Sequence, residues 1–513
     1  MTTNTLFARD PASVKTEIVA SFAAALDTLW ACAESGEPPR LLEIELWKRL
    51  FILGREVLRW LLTLQCWRAT EEDLRQRGLM ATEVSLRLDK DYWAQQTTTF
   101  GKIHFPLFAY RDRSPGVPVT RTPAREAVLP CYPKVRSSEL CLELECWLAK
   151  EFPFRKAQQA LALLTHGQVS LEDTTIAAHM RAIGGVIDRR WLYRPVEKIA
   201  ELIAERATRD AETGRPIVYL STDAHNERLY VDDTWDAAWK CANGIRLWIV
   251  DRRTGATVHL GGEFTWGNCN EVGRIIEELI ASGILPRDGD YGDDLIAEFV
   301  VITDGMPWIE DHVLSRLPWA QPVLDLYHAL HRLGEFAAEL FRRAKKKAKA
   351  WYNRLASHLV PRRGSGARKP KTRKNHRKRR PGQSPPARKP RQDIGCGFTL
   401  LGALYEDSIP KRLADEFDKL LNYFEHNAYR MDYRRYEQRG FQLGSGAMES
   451  LHRSGGQLRL KIPGGTWLQS TSQAIFNLRM LDLAGRWSDF WAQADLSQLI
   501  TRAFDPQTVE NAG

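Results

Sequence analysis

The sequence predicts an α/β core set between helical regions. Three observations carry this. Short β-branched runs between Arg215 and Leu326 fall in the order three strands, a helix, a strand, a helix, a strand. Amphipathic helical patterns precede and follow them, and one apolar-poor basic segment splits the later helical region.

The 513 residues hold 73 Lys plus Arg against 64 Asp plus Glu, a formal charge of +9. With 43% hydrophobic and 27% charged residues, wholesale disorder and collagen- or mucin-like chains are excluded. The length suits roughly two to four domains. The charge is uneven. From Leu340 to Gln392 there are 21 Lys and Arg and no Asp or Glu, so the remaining residues carry −12, the +9 total less 21. The opening MTTNTLFARD is polar, so no export signal is expected. The apolar stretch Leu50–Trp67 contains Arg55, Glu56 and Arg59, which argues against a membrane span. A cytoplasmic, nucleoid-associated protein is expected. Its eight cysteines form no CxxC pair and read as reduced structural thiols.

Residues 14–35 and 41–67 read as helices. In the second, Leu46, Leu50, Leu53, Val57, Leu61 and Leu64 form one apolar stripe, either ordinary core or a contact between two copies. Thr98–Tyr110 reads as a small hairpin. Between 154 and 187 a helix ending near Thr165, a turn at Gly167 and a second helix capped by Ser170, with Asp173 three positions on, have the layout of a helix-turn-helix or a plain helical hairpin. Glu172 and Asp173 are a poor start for a helix meeting phosphates.

The core strands are expected at Ile217–Thr222, Ile245–Val250, Ala256–Leu260, Phe299–Thr303 and Pro322–Leu326. A helix over Glu271–Ser282, stopped by Gly283, falls between the third and fourth. An antiparallel meander followed by parallel strands joined through helices is the ribonuclease-H-like topology. Two strands end in aspartate, Asp223 and Asp304. Neighbouring strands can bring such carboxylates together, and divalent cations offset their repulsion. A turn or capping role explains a lone aspartate equally well. Asp232, Asp233 and Asp251 compete for the first position, but Asp251 is accounted for by the turn to Gly255. Glu449, early in a helix capped by Ser445, supplies a third carboxylate or is itself a capping residue.

Taken in order, VVITDGMPWI (300–309), PVLDLYHALHRL (322–333), YFEHNAYRMDYRRYEQRGFQLGSGAMES (423–450) and RLKIPGGTWLQSTSQAIFNLRMLDLAGRWSDFW (459–491) resemble a bacterial insertion-sequence DDE transposase of the Kra type, distantly related to Mutator-like elements. The resemblance covers roughly 150–335 and 420–491. It implies a catalytic and metal-binding triad of Asp223, Asp304 and Glu449 holding two Mg²⁺ ions, with Mn²⁺ as a substitute. It also implies a place near the active site or DNA for Asp325 and His328, spaced Asp-x-x-His. The implied partners are double-stranded DNA, as terminal inverted repeats and target, and further copies of the chain, with no membrane. The implied reaction cleaves phosphodiester bonds and joins 3′-OH ends to target DNA. A metal-dependent nuclease without strand transfer and a non-catalytic DNA-binding descendant are the alternatives. The chain departs from the pattern at Ala224, where Gly is expected, and in lacking paired cysteines upstream.

The expected division is an N-terminal helical region over 1–137, helices over 138–210 and the first part of the core over 211–335. A helical insertion over 336–440 follows, then completion of the core over 441–495 and a tail over 496–513. Within the insertion, 361–392 reads as a disordered basic arm for phosphates, through Arg362, Arg363, Arg368, Lys369, Lys371, Arg373, Lys374, Arg377, Lys378, Arg379 and Arg380.

Overall fold

The computed structural model describes residues 11–79, 84–87, 90–112, 119–127, 135–231, 236–360 and 395–495. The basic arm lies outside the described residues, as do Asp232 and Asp233. The chain divides into two units, Met1–Leu192 with Arg228–Ala238 and Gly455–Gly513, and Tyr193–Glu227 with Trp239–Ser454. The segment expected to complete the core is thus shared between them after Ser454.

In the first unit the two N-terminal helices run Pro11–Glu34 and Pro39–Gln76. Pro39 sits in the first turn, where its missing N–H costs nothing. Leu46, Leu50 and Leu61 of the apolar stripe are exposed, so the stripe does not serve as core within this chain. By length and composition the stretch Lys15–Glu34 could cross a bilayer, with a mean hydropathy of 1.2, and it is unburied. That stretch was not singled out by the sequence reading. The hairpin pairs Trp93–Thr98 with Gly101–Pro106, turning between Thr98 and Gly101. Its Ala94, Ile103 and Phe105 pack with Cys66 and Phe108.

The pair Phe154–Leu164 and Asp173–Val186 is a helical hairpin. Ser170 does not cap the second helix; the N-cap position is Glu172, and its side chain makes no capping bond. Ile176, Ala177, His179, Met180, Ala182, Ile183 and Gly184 of that helix are buried. Helix Gln469–Leu483 approaches so closely that a Cβ on Gly184 would stand 2.6 Å from Ala474. This close packing of the second helix favours the plain helical hairpin of the two readings. Lys150 is buried beside it, bonded to Glu151 and Asp482 at 2.7 and 2.9 Å, with its ammonium 3.6 Å from the Trp147 ring centroid. All described cysteines are free thiols, Cys66, Cys141 and Cys146 among them buried.

The second unit is mixed α/β, and its elements are numbered here. Strands β1 (Ile217–Val231), β2 (Asp236–Val250), β3 (Thr257–Thr265), β4 (Glu298–Thr303) and β5 (Gln321–Leu324) form one sheet in the order β5-β4-β1-β2-β3. β4 runs parallel to both β1 and β5, and β2 is antiparallel to β3. Helix α1 (Cys269–Ala281) links β3 to β4, with Asn268 as cap and Val272, Ile275, Ile276 and Leu279 buried. Each expected strand is present. β1 extends well past its expected end, so Asp223 lies within a strand rather than at its end, and β2 starts well before its expected beginning.

The insertion begins with α2 (Leu326–Leu340) and α3 (Lys345–Leu359), which break at Phe341–Ala344. It continues with α4 (Cys396–Tyr405), α5 (Ala414–Asn427) and α6 (Tyr433–Arg439). Phe336, Trp351, Leu355, Leu400, Leu404, Phe417 and Phe424 from these helices join Ile217, Tyr219, Val300 and Ile302 of the sheet in one apolar cluster. Trp351 is therefore core, its ring 5.6 Å from Phe336. Arg439 at the end of α6 donates to Asp210 (Nη2–Oδ2, 2.7 Å) and Glu298 (2.6 Å), both within the same unit.

Candidate active site

The sheet register brings the carboxylates together. Ser221 pairs with Ile302 in the parallel ladder, and Thr303 pairs with Leu324. Continuing each register places Asp223 beside Asp304 and Asp304 beside Asp325, at the carboxyl end of three parallel strands. This is where open α/β sheets bind ligands. The ladder between β1 and β4 ends at Ser221, which frees the Asp223 side chain although its strand continues.

Asp304 begins a tight turn. Its Oδ1 accepts the Met306 N–H at 3.1 Å, and Gly305 has φ +83°, a conformation that side chains other than glycine rarely adopt. A Cβ on Gly305 would also stand 2.5 Å from Leu324 Cδ1 and 2.9 Å from Asn427 Oδ1. The insertion holds this turn from behind. Tyr423 Oη donates to the Asp304 carbonyl at 2.9 Å, Asn427 Nδ2 to the Gly305 carbonyl at 3.3 Å, and Arg430 Nε to Asn427 Oδ1 at 2.6 Å.

Asp223 is pushed above the usual carboxylate range, first by burial and then by the negative charge of Asp304, against the bond from Ala224 N–H and the nearby His328 and His225. A carboxylate whose proton affinity is raised by burial and by a neighbouring carboxylate is electrostatically poised for a cation.

Asp325 plays a different part. It is buried and caps α2, with Oδ1 accepting Tyr327 N–H at 2.6 Å and His328 N–H at 3.0 Å. Its Oδ2 accepts Ser445 N–H at 2.5 Å, in the loop that leads into α7 (Gly446–His452). Burial pushes this carboxyl up, but the bonds from His328 and Ser445 overcome it and hold it down at about 2. Both oxygens are thus committed to tying α2 to the loop before Glu449. His328 Nδ1 lies 3.5 Å from Asp325 Oδ1; that carboxylate raises its proton affinity over the opposing effect of burial, and Asp223 and Asp304 add to it. The Asp-x-x-His pair is a helix cap that also sets a histidine beside both aspartates.

Glu449 is exposed on α7. It is not grouped with Asp223 and Asp304, and among the described residues no three His, Cys, Asp or Glu side chains are placed to hold a metal. It lies three residues before His452, hence on the same helix face. His452 Nε2 is 3.6 Å from Asp223 Oδ2. The Asp223–Asp304 pair suits a hard divalent ion by its donor chemistry, and the third carboxylate stands about one helical turn from the residue that touches it.

Two histidines were missed by the sequence reading. His452 hydrogen-bonds His225 through their Nδ1 atoms, with ring centroids 4.5 Å apart, and His225 Nε2 lies 3.0 Å from buried Glu227. A chain Glu227–His225–His452–Asp223 results. Its signal was the alternation of Asp223, His225 and Glu227, which share one face of a continuing strand. Replacing His452 by Gln is expected to raise the Mg²⁺ concentration needed for half-maximal DNA cleavage by about 10–100-fold, as loss of a ligand's outer partner commonly does. An unchanged requirement in a variant of unchanged melting temperature would remove His452 from the site.

No family model matches the chain, and no curated protein matches it. Among solved structures it is similar to one described as the Drosophila P element transposase strand transfer complex. The identity is 10% and the TM-score 0.29, over 70% of this chain and 93% of that one.

Proposed function

We propose that the chain is a DDE-type DNA transposase with a ribonuclease-H-like core, acting on phosphodiester bonds at DNA ends. The observation that carries this is the adjacency of Asp223 and Asp304 just past the end of the parallel ladder between β1 and β4, with the Asp304 turn held by its own hydrogen bonds. Asp223 and Asp304 are the residues that would hold Mg²⁺, with Glu449 as the third ligand. When bound, a pair of divalent ions polarises a phosphodiester, activates the attacking oxygen and stabilises the leaving one. The chain's own part is positional. Tyr423 and Asn427 fix the Asp304 turn, Asp325 fixes the approach to α7, and His452 orients Asp223.

The basic arm supplies sequence-independent affinity for the phosphate backbone through its Lys and Arg side chains. The exposed leucines of Pro39–Gln76 are the surface offered to a second copy in the oligomer this reading calls for.

The test is a joining assay. The full chain, a labelled DNA carrying the element's terminal repeat, Mg²⁺ and a plasmid target are combined. Transfer of label to the plasmid is expected. Cleavage without transfer would favour the nuclease alternative, and binding without cleavage the non-catalytic one.

A further inference from the structure

Helix α2 starts at the Asp325 cap and carries His328 on its first turn, so it leads directly away from the carboxylate pair. Between α2 and α3 runs an open groove of about 640 Å³, within the range of roughly 300–1,000 Å³ typical of sites that take an organic group. Its floor is built of small residues, Gly334, Ala338 and Ala348. Its walls are aromatic. Tyr327 stands at the end nearer the active site, 68% exposed, against Gly444 of the loop before α7, where a Cβ would lie 2.6 Å from the ring. Tyr352 lies over Gly334 further along, where a Cβ would be 3.9 Å from its ring.

Lys349 lines the groove, and Arg343, Lys345, Lys346 and Lys347 lie exposed along the same turn and helix start. The carboxylates nearby already have side-chain partners. Glu335 is 3.2 Å from His331 Nε2, and Glu339 pairs with Arg342. The groove therefore combines an exposed and a half-buried tyrosine, a lining rich in Gly and Ala, and a run of lysines that form no ion pair among the described residues.

We propose that this groove receives an unpaired DNA strand extending from the scissile phosphate, with bases against Tyr327 and Tyr352 and phosphates against Lys349 and the α3 lysines. This rests on the proposed function and adds the substrate form: a DNA end with a single-stranded extension. Aromatic platforms flanked by cations are the general means of holding single strands, because every base offers a face to stack. A fully paired duplex keeps its bases stacked inside and gains nothing from the tyrosines.

The experiment uses the full chain and fluorescence anisotropy with two probes, a blunt duplex and the same duplex with an unpaired extension of about eight nucleotides. The wild type is expected to bind the extended probe more tightly. Tyr352→Ala should reduce that advantage roughly tenfold, with blunt-duplex affinity retained. Because Tyr352 also packs on the core, Lys349→Glu, at an exposed position, serves as a second variant and should reduce the same advantage. Replacing Lys345, Lys346 and Lys347 together by Gln should flatten the salt dependence of extended-probe binding by a log–log slope of about two. The proposal is overturned if these variants keep the wild-type advantage and slope. It is equally overturned if Tyr352→Ala alters the oligomeric state and leaves DNA affinity intact, which would make the groove a contact between copies. Wild-type chain that cleaves DNA while the variants lose nothing sinks the groove alone. Wild-type chain that neither binds nor cleaves either probe sinks the functional reading with it.

Discussion

Replacing Asp304 by Asn is expected to lower Mg²⁺-dependent DNA cleavage at least about a hundredfold, while leaving the melting temperature within a degree or two of the wild type. The two halves of this expectation have separate causes. Within its turn the side chain accepts the Met306 N–H through Oδ1, and the Asn amide oxygen can do the same. The backbone is held independently by Tyr423 at the Asp304 carbonyl. The substitution therefore spares the fold and removes one negative charge from the pair with Asp223. Glu449→Gln is expected to reduce cleavage similarly, although Glu449 stands exposed and apart from the pair. Gel assays of strand cleavage across a Mg²⁺ titration check both. Wild-type rates in Glu449→Gln would leave the aspartates without their third ligand.

The largest expected effect on stability comes from Arg439. Its guanidinium is buried with Asp210 and also reaches Glu298. Asp210 is almost fully covered, and although burial pushes its carboxyl up, the bonds from Arg439, Glu212 N–H and Thr213 hold it down at about 2. Arg439→Ala would leave that charge buried with its strongest partner gone, at a cost of about 3–5 kcal/mol. Urea unfolding followed by tryptophan fluorescence should show the loss as a lower midpoint. Removing the charge as well, in Asp210→Asn with Arg439→Met, should recover part of it, because the penalty lies in the unpaired carboxylate. A single variant as stable as the wild type would mean that the ion pair adds nothing beyond what water supplies.

Much of the sheet was legible because its central strands are short apolar runs buried on both faces, Ile217–Leu220 and Phe299–Ile302 above all. The extension of β1 past Asp223 was hidden for a specific reason. The inward positions of that stretch, His225 and Glu227, are buried polar side chains in close contact with each other rather than apolar ones, so the period-two signal disappears. A strand ended at Asp223 leaves out His225 and Glu227, which continue the same face. The Asp-x-x-His spacing does not reveal the division of labour in which Asp325 caps α2 and His328 lies beside Asp223 and Asp304. Helix-turn-helix and plain hairpin are not separable in the sequence because local pattern cannot report what covers a helix. Its cover is Gln469–Leu483, almost 300 residues further along the chain. The break between α2 and α3 carries no local signal, since Phe341–Ala344 contains neither Pro nor Gly.

The central claim is that Asp223 and Asp304 together make a divalent-cation centre. Titrating Mn²⁺ into the full chain, with binding read by electron paramagnetic resonance and by competition with Mg²⁺, tests it most directly. Saturable binding that Mg²⁺ displaces is predicted for the wild type, with loss of that binding in both Asp223→Asn and Asp304→Asn. Binding that survives both substitutions, or no binding in the wild type, would contradict it.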